Sequence, residues 1–266
     1  MFSGYDFVYN GKSSISENVK MLYTDSNAFT EAQGIPEKEY SIFKPNQSGK
    51  WNVSGINHEN PLEFEMQIML HGDGEDEYRK LNPVLKRNLI SKISHWLFDV
   101  TDFKRLQIFT EELRDLYFMA VFKSPQYILD AGEIIGFRAT VLCDNIGAYE
   151  DKSITKNCTG ETKISLQCLH DGIYEITPTY EITLNTGSVD IIVNDTTLKL
   201  KSLAAESTVT IDTETLIAKS SEAENLYVGD RFNLAFPTLH YGKNTIIVDG
   251  DCVLKVKYTV VREVGC

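Results

Sequence analysis

Along residues 62–68, LEFEMQI, apolar and polar side chains alternate. Leu62, Phe64, Met66, Ile68 and Leu70 fall on one face and Glu63, Glu65 and Gln67 on the other, the period-2 pattern of a half-buried strand. The opening stretch places Tyr5, Phe7 and Tyr9 in the same alternation and follows them with Asn10-Gly11, a two-residue hairpin turn signal. The period then changes once. Leu85, Leu89, Ile93, Trp96 and Leu97 recur at helical spacing behind Asn82, a good N-cap, and Pro83, suited to the first helical position. Lys80, Lys86, Arg87 and Lys92 around this stripe read as a solvated face or an interface rim.

Past the helix the strand pattern resumes in KRLQIF, DLYFMAVFK, which Pro125 is expected to end, and EIIGFRATVLCD. NIGAYEDKSITKNCTGE loses apolar periodicity, so a domain boundary is placed within residues 145–160, dividing the chain into 1–147 and 148–266. The second half is all strands. YEITLNTGSVDIIV reads as a hairpin about an NTGS turn, TVTIDTETLIAK as a hairpin across Asp212–Thr215, and Cys252, Leu254, Val256, Tyr258 and Val260 as the inner face of a last strand. The expected fold class is mainly β: an α+β N-terminal domain with one main helix, followed by a C-terminal β-sandwich.

Composition narrows the function. With 38 acidic against 26 basic residues the net charge is −12, which disfavours tight nucleic-acid binding, since phosphate contacts need Lys and Arg. The N-terminal residues lack the basic and apolar regions of a secretory leader, and no apolar run is long enough for a membrane-spanning helix, so no membrane insertion is expected. Five cysteines without a C-x-x-C pair suggest free thiols made in a reducing compartment. The N-x-[ST] matches at Asn46, Asn52, Asn157 and Asn194 then read as accidental.

FPTLHYGKNTIIVDGD, residues 236–251, puts His240 near Asp249 and Asp251 in sequence. Pro237 is expected to end a strand, NTIIV to form the next, and DGD to be a hairpin tip. Five strand residues span roughly 17 Å, against the ~3 Å a catalytic pair needs, so the histidine reads as a turn residue. GDGEDE, residues 72–77, lacks the ligand order of an EF-hand. His58, His71, His95, His170 and His240 are scattered, without zinc spacing, and His95 reads as a helix C-terminal cap. No phosphate loop, dinucleotide fingerprint or nucleophile elbow is present. The expectation is therefore no catalytic, cofactor-binding or metal residue, no cofactor, and no enzyme.

The order of these pieces resembles the distal tail protein family of siphophages. FVYNGKSS looks like its opening strand and turn, and HWLF with KRLQIF and LYFMAVF like its helix and strand pair. FRATVLCDNIGAY resembles the strand leaving its first domain, and EITPTYEITL, TVTIDTETLIA and FPTLHYGKNTIIV resemble strands of its galectin-like sandwich. The resemblance implies a structural virion protein, assembled in the host bacterial cytoplasm. It would form a homo-oligomeric ring, usually a hexamer, at the end of the tail tube. Its implied partners are the major tail tube protein, a tail-tip protein, and receptor-binding or baseplate proteins, with DNA passing through without specific binding. The alternative is a carbohydrate-binding protein or glycoside hydrolase built on the sandwich. Trp51 and Trp96 both fall in the first half, which favours the hub over a lectin-like aromatic platform.

Overall fold

A computed structural model describes residues 4–22, 38–43, 52–58, 61–70, 77–169, 175–222, 226–227 and 231–262. The chain forms two compact units, one within Met1–Tyr149 and the other Glu150–Arg262. It is mainly β, with antiparallel sheets and one long helix.

The first unit contains β1 (Gly4–Tyr5), β2 (Phe7–Tyr9), β3 (Lys12–Ser13), β4 (Val19–Leu22), β5 (Lys38–Phe43), β6 (Asn52–His58), β7 (Glu63–Leu70), α1 (Glu77–Lys80), α2 (Pro83–Phe98), β8 (Lys104–Ile108), β9 (Phe118–Asp130) and β10 (Glu133–Cys143). An eight-stranded sheet runs β1-β4-β7-β10-β9-β8-β2-β3, and β5 and β6 form a separate hairpin. Asn10 and Gly11 both take positive φ, 48° and 73°, which makes the β2–β3 connection the predicted two-residue turn. β7 shows the alternation read from its sequence, with Met66 and Ile68 buried and Glu63 and Glu65 exposed. It lies so close to β10 that a Cβ at Gly136 would stand 2.4 Å from the Ile68 carbonyl oxygen, so only glycine fits there.

Helix α2 starts as predicted. Asn82 accepts hydrogen bonds from the backbone N–H groups of Val84 and Leu85, and Pro83 takes the first helical position. Its buried stripe is shorter than the spacing suggested. Ile93, Trp96 and Leu97 are buried and Leu89 is half-buried, but Leu85 is 49% exposed. Trp96 stacks on Phe7 at 5.7 Å and donates from Nε1 to the Tyr9 carbonyl at 3.0 Å, fixing the helix on the sheet. Of the surrounding cations, Lys86 pairs with Glu133 at 2.8 Å and Lys92 with Glu17 at 2.7 Å, so two of them tie the helix to neighbouring elements. His95, at the last turn, contacts Asp99, the C-cap residue.

Pro125 does not end its strand. β9 continues to Asp130, and Ser124, at φ 53°, sits with Pro125 in a bulge where the register against β10 shifts between Arg138 and Thr140. A bulge residue lies outside the ladder, so the missing proline N–H costs nothing there.

The second unit contains β11 (Ala148–Cys158), β12 (Glu161–Cys168), β13 (Thr179–Leu184), β14 (Val189–Val193), β15 (Thr196–Leu200), β16 (Thr208–Asp212), β17 (Ile217–Ser220), β18 (Gly242–Asp249) and β19 (Cys252–Arg262). Two sheets, β11-β19-β13-β16-β17 and β12-β18-β14-β15, pack around one core. Their inner faces meet through Tyr180, Ile182 and Leu184 from one side and Ile191, Val193, Ile246 and Val248 from the other, all buried. The predicted Asp212–Thr215 hairpin is present, with Asp212 Oδ1 accepting from the N–H groups of Glu214 and Thr215.

Three local readings change. β13 and β14 are not a hairpin, because they lie in different sheets and residues 185–188 cross between them. β18 and β19 are likewise in different sheets, so DGD is a crossing and not a hairpin tip. No described strand precedes Pro237 for it to end. The stretch that lost periodicity, 148–158, is itself a strand. β11 is the edge of its sheet, and apart from Ile154, which packs against the core, its middle residues are polar and half-buried or exposed.

Candidate functional site

Strand β18 separates the residues that looked like a cluster. At its start, the 240–244 turn is built by Asn244, which is fully buried. Asn244 Oδ1 accepts from the His240 N–H at 2.9 Å and from Asn194 Nδ2 at 2.9 Å. Its Nδ2 donates to the carbonyls of His240 at 2.8 Å and Gly242 at 3.2 Å. The imidazole points outward. Its Nδ1 lies 3.7 Å from Glu175 Oε1, both side chains are more than half exposed, and Thr238 Oγ1 donates to the other Glu175 oxygen at 2.8 Å.

Asp249 and Asp251 lie at the far end. Seven steps along β18, at about 3.3 Å each, put roughly 23 Å between the two ends. No proton can pass directly over that distance, so His240 and the aspartates are not a catalytic pair. Asp251 Oδ1 accepts from the Gly160 N–H at 2.8 Å and holds the crossing. Gly250, at φ 134°, packs where a Cβ would stand 3.1 Å from the Ser188 carbonyl oxygen. Asp249 stands directly across from Glu161 on β12 and from Asp190 on β14, and Asp190 stands across from Lys199 on β15. Directly opposed residues share a face, so three carboxylates form a row across the outer face of this sheet. Lys199 Nζ meets Asp190 at 3.0 Å and offsets part of the repulsion. Neither this row nor the Glu175–His240 contact is legible in sequence, since both depend on partners distant along the chain.

Two open clefts lie on this unit. One, of about 680 Å³, lies beside the crossings and is lined by Thr186, Ser188, Asp190, Lys201, Asp249 and Asp251. The other, of about 480 Å³, lies on the five-stranded sheet among Asp151, Lys152, Thr179, Lys255, Lys257 and Thr259. Glu181 nearby is held below the usual carboxylate range by a hydrogen bond from Lys257 and the charge of Lys255. Both clefts are polar, and among the described residues lining them the one aromatic, Tyr258, is 9% exposed and presents no open ring face on which a sugar could stack. Among the described residues no group of three or more His, Cys, Asp or Glu could hold a metal ion. His71, His170, Trp51 and residues 72–76 of GDGEDE lie outside the described residues, as do the side chains of His58 and Glu77.

In the first unit the informative surface is apolar. Beyond the Ser124–Pro125 bulge, the β9–β10 hairpin carries Tyr127, 56% exposed, and Leu129, 62% exposed, and Val84 at the start of α2 is 63% exposed. Tyr127 stands opposite Phe137, with ring centroids 5.6 Å apart, so the exposed ring continues the core face of the sheet.

The sequence matches two family profiles end to end. Residues 2–145 match one described as the phage tail protein N-terminal domain, and residues 147–258 one described as the phage tail C-terminal domain. The chain belongs to this phage tail protein family. The tail protein's fold is shared with the Dit protein of phage SPP1, described as a paradigm of the hub adsorption apparatus in phages infecting Gram-positive bacteria. The TM-score is 0.65 at 10% identity, over 97% of this chain and 100% of that one. It is also similar to a chain of the phage P2 baseplate in its activated conformation with calcium, with a TM-score of 0.51 at 12% identity and full coverage of both chains. No curated protein matches the tail protein in sequence.

Proposed function

We propose that this tail protein is the distal hub of a siphophage tail. It forms a homo-oligomeric ring, a hexamer, at the end of the tail tube, and joins the tube to the tail-tip and the receptor-binding or baseplate proteins. The observation that carries this reading is the full-length likeness to SPP1 Dit, in which both units take part in the same chain order. The exposed apolar end of the β9–β10 hairpin supports it, because side chains of this kind lose solvent contact when subunits associate. So does the net charge of −12, since a passage that lets DNA leave must not bind phosphates tightly. Assembly takes place in the host cytoplasm, where the chain is made. The proposed role is structural, with no catalytic residue and no cofactor, and the domains are 1–147 and 148–266.

Light scattering on the purified chain, followed by negative-stain imaging, tests the reading. Six-fold rings, with antibody label at the tail tip of intact particles, are the expected result. Label along the whole tube, or at the head end of the tail, would sink it. The carbohydrate-binding alternative predicts instead a monomer retained on host cell-wall glycan.

A further inference from the structure

Cys158 and Cys252 face each other inside the second unit. β11 and β19 are neighbours in the five-stranded sheet. Thr259 Oγ1 donates to Asp151 Oδ1 at 2.9 Å, and Arg262 Nε donates to Glu150 at 2.9 Å, so partner numbers fall along β19 as they rise along β11 and the strands are antiparallel. Val260 and Val261, both buried, break the alternation before Arg262, which lies two residues out of step, so the register toward Cys252 is counted from Thr259, where the alternation is regular. Moving seven residues forward from Asp151 and seven back from Thr259 brings Cys158 opposite Cys252. An odd step changes the face, and the burial agrees: Asp151 is exposed on the outer face, while Cys158 and Cys252 are 2% and 0% exposed inside. Each thiol perturbs the other's titration, and the Cys158 thiol donates to the Lys156 carbonyl at 3.8 Å. Cα atoms directly across an antiparallel pair stand about 4.5–5.5 Å apart, within the range of about 4.4–6.8 Å that a disulfide spans.

We propose that Cys158 and Cys252 are a disulfide site, reduced when the tail protein is made and closed into a cross-strand bond after the particle leaves the host. The oxidant is a low-molecular-weight disulfide such as oxidised glutathione. One cysteine thiolate attacks it, forming a mixed disulfide and releasing one glutathione. The second cysteine then attacks the mixed disulfide and releases the other. The two cysteines lose two electrons and two protons, and one glutathione disulfide becomes two glutathiones. Burial pushes the Cys252 thiol up to about 12, so its thiolate is scarce and closure is slow. That slowness keeps the pair open through synthesis and assembly. Once closed, the bond fastens β11, an edge strand, to β19, which lies between β11 and β13.

The full-length chain, purified under reducing conditions, is exposed to oxidised glutathione for hours, then denatured in acid and alkylated. The expected result is loss of two of the five thiols, a mass lower by two hydrogens, and a cross-linked peptide joining residues 158 and 252. Cys158→Ser and Cys252→Ser each abolish the cross-link, and Cys158→Ala and Cys252→Ala replace them if a buried serine prevents folding. Oxidation should raise Tm by several degrees, on the order of 5 °C, in the native chain and not in the double variant. Five thiols still open to alkylation, glutathione retained on one cysteine without a cross-link, or the same thiol loss in Cys158→Ser would each overturn the proposal.

Discussion

Changing one atom at Asn244 should produce a pH-dependent stability loss of predictable size. Asn244→Asp keeps the shape of the side chain and replaces its two N–H donors with an acceptor. That oxygen would face the carbonyls of His240 and Gly242, which now receive those hydrogen bonds at 2.8 and 3.2 Å. The residue is fully buried, so water cannot replace the lost donors. Breaking such a buried network from one side costs about 3–5 kcal/mol at neutral pH. At about 1.4 kcal/mol per unit, this equals a carboxyl raised from about 3.9 in the unfolded chain to between about 6 and 7.5 in the fold. The native state then binds the proton more tightly than the unfolded state. Stability falls as pH rises from the unfolded value to the folded one, and the penalty is constant above that. The loss should be about 2 kcal/mol smaller near pH 5 than near pH 7. Asn244→Ala provides the control, since it removes the same donors without adding a titrating group, and its loss should be equal at both pH values. Urea unfolding read by alkylation of Cys158, Cys168 and Cys252, all buried in the folded unit, measures both variants. An Asn244→Asp chain within ~1 kcal/mol of native near pH 7, or one whose loss ignores pH, would refute the assigned role of this side chain.

Asp249→Lys should stabilise the second unit by about 0.5–1 kcal/mol, because it turns a carboxylate row with Glu161 and Asp190 into alternating charges. A lower urea midpoint would show that the row does not share one face. Ile93→Asp should prevent folding of the first unit, since Ile93 is fully buried against the sheet with Trp96 and Leu97. Soluble chain with native near-UV signal from Trp96 would count against the assigned helix face. Glu181 is held below its ordinary range by Lys257 and Lys255, so its contribution is present above the unfolded carboxylate value and lost as pH falls through the folded one. Lys257→Met should therefore move acid unfolding to higher pH, and an unchanged acid midpoint would remove that ion pair from the stability of the sheet.

The elements legible in the sequence were those whose environment is set locally. The alternation from Leu62 to Ile68 reports one buried and one exposed face, and Asn82-Pro83 carries its cap in adjacent residues. Which sheet a strand joins is not local. Tyr180–Leu184 and Val189–Val193 alternate just as the arms of a hairpin would, yet they line opposite sides of one core. Pro125 does not distinguish a bulge from a strand end, because both use proline for the same missing donor. β11 carries little apolar pattern because an edge strand with a polar middle has little to show. The separation of His240 from Asp249 could be estimated from strand length alone. The Asp249 row and the Glu175 contact could not, since register across β12, β14 and β18 joins residues far apart along the chain.

The strand order of the second unit also sets when that unit can fold during synthesis. Its first strand, β11, is hydrogen-bonded to its last, β19, and β18 lies between β12 and β14 in the other sheet. β11, β12, β13 and β14 must therefore each leave the ribosome before one of their final neighbours. The apolar inner faces remain open until β18 and β19 emerge and complete both sheets together. A chain truncated anywhere before residue 242 lacks a central strand in each layer and presents open edges to other chains. Such fragments should be removed by the host's chaperones and proteases before they can join an assembling tail, so the topology itself admits only chains translated through β19.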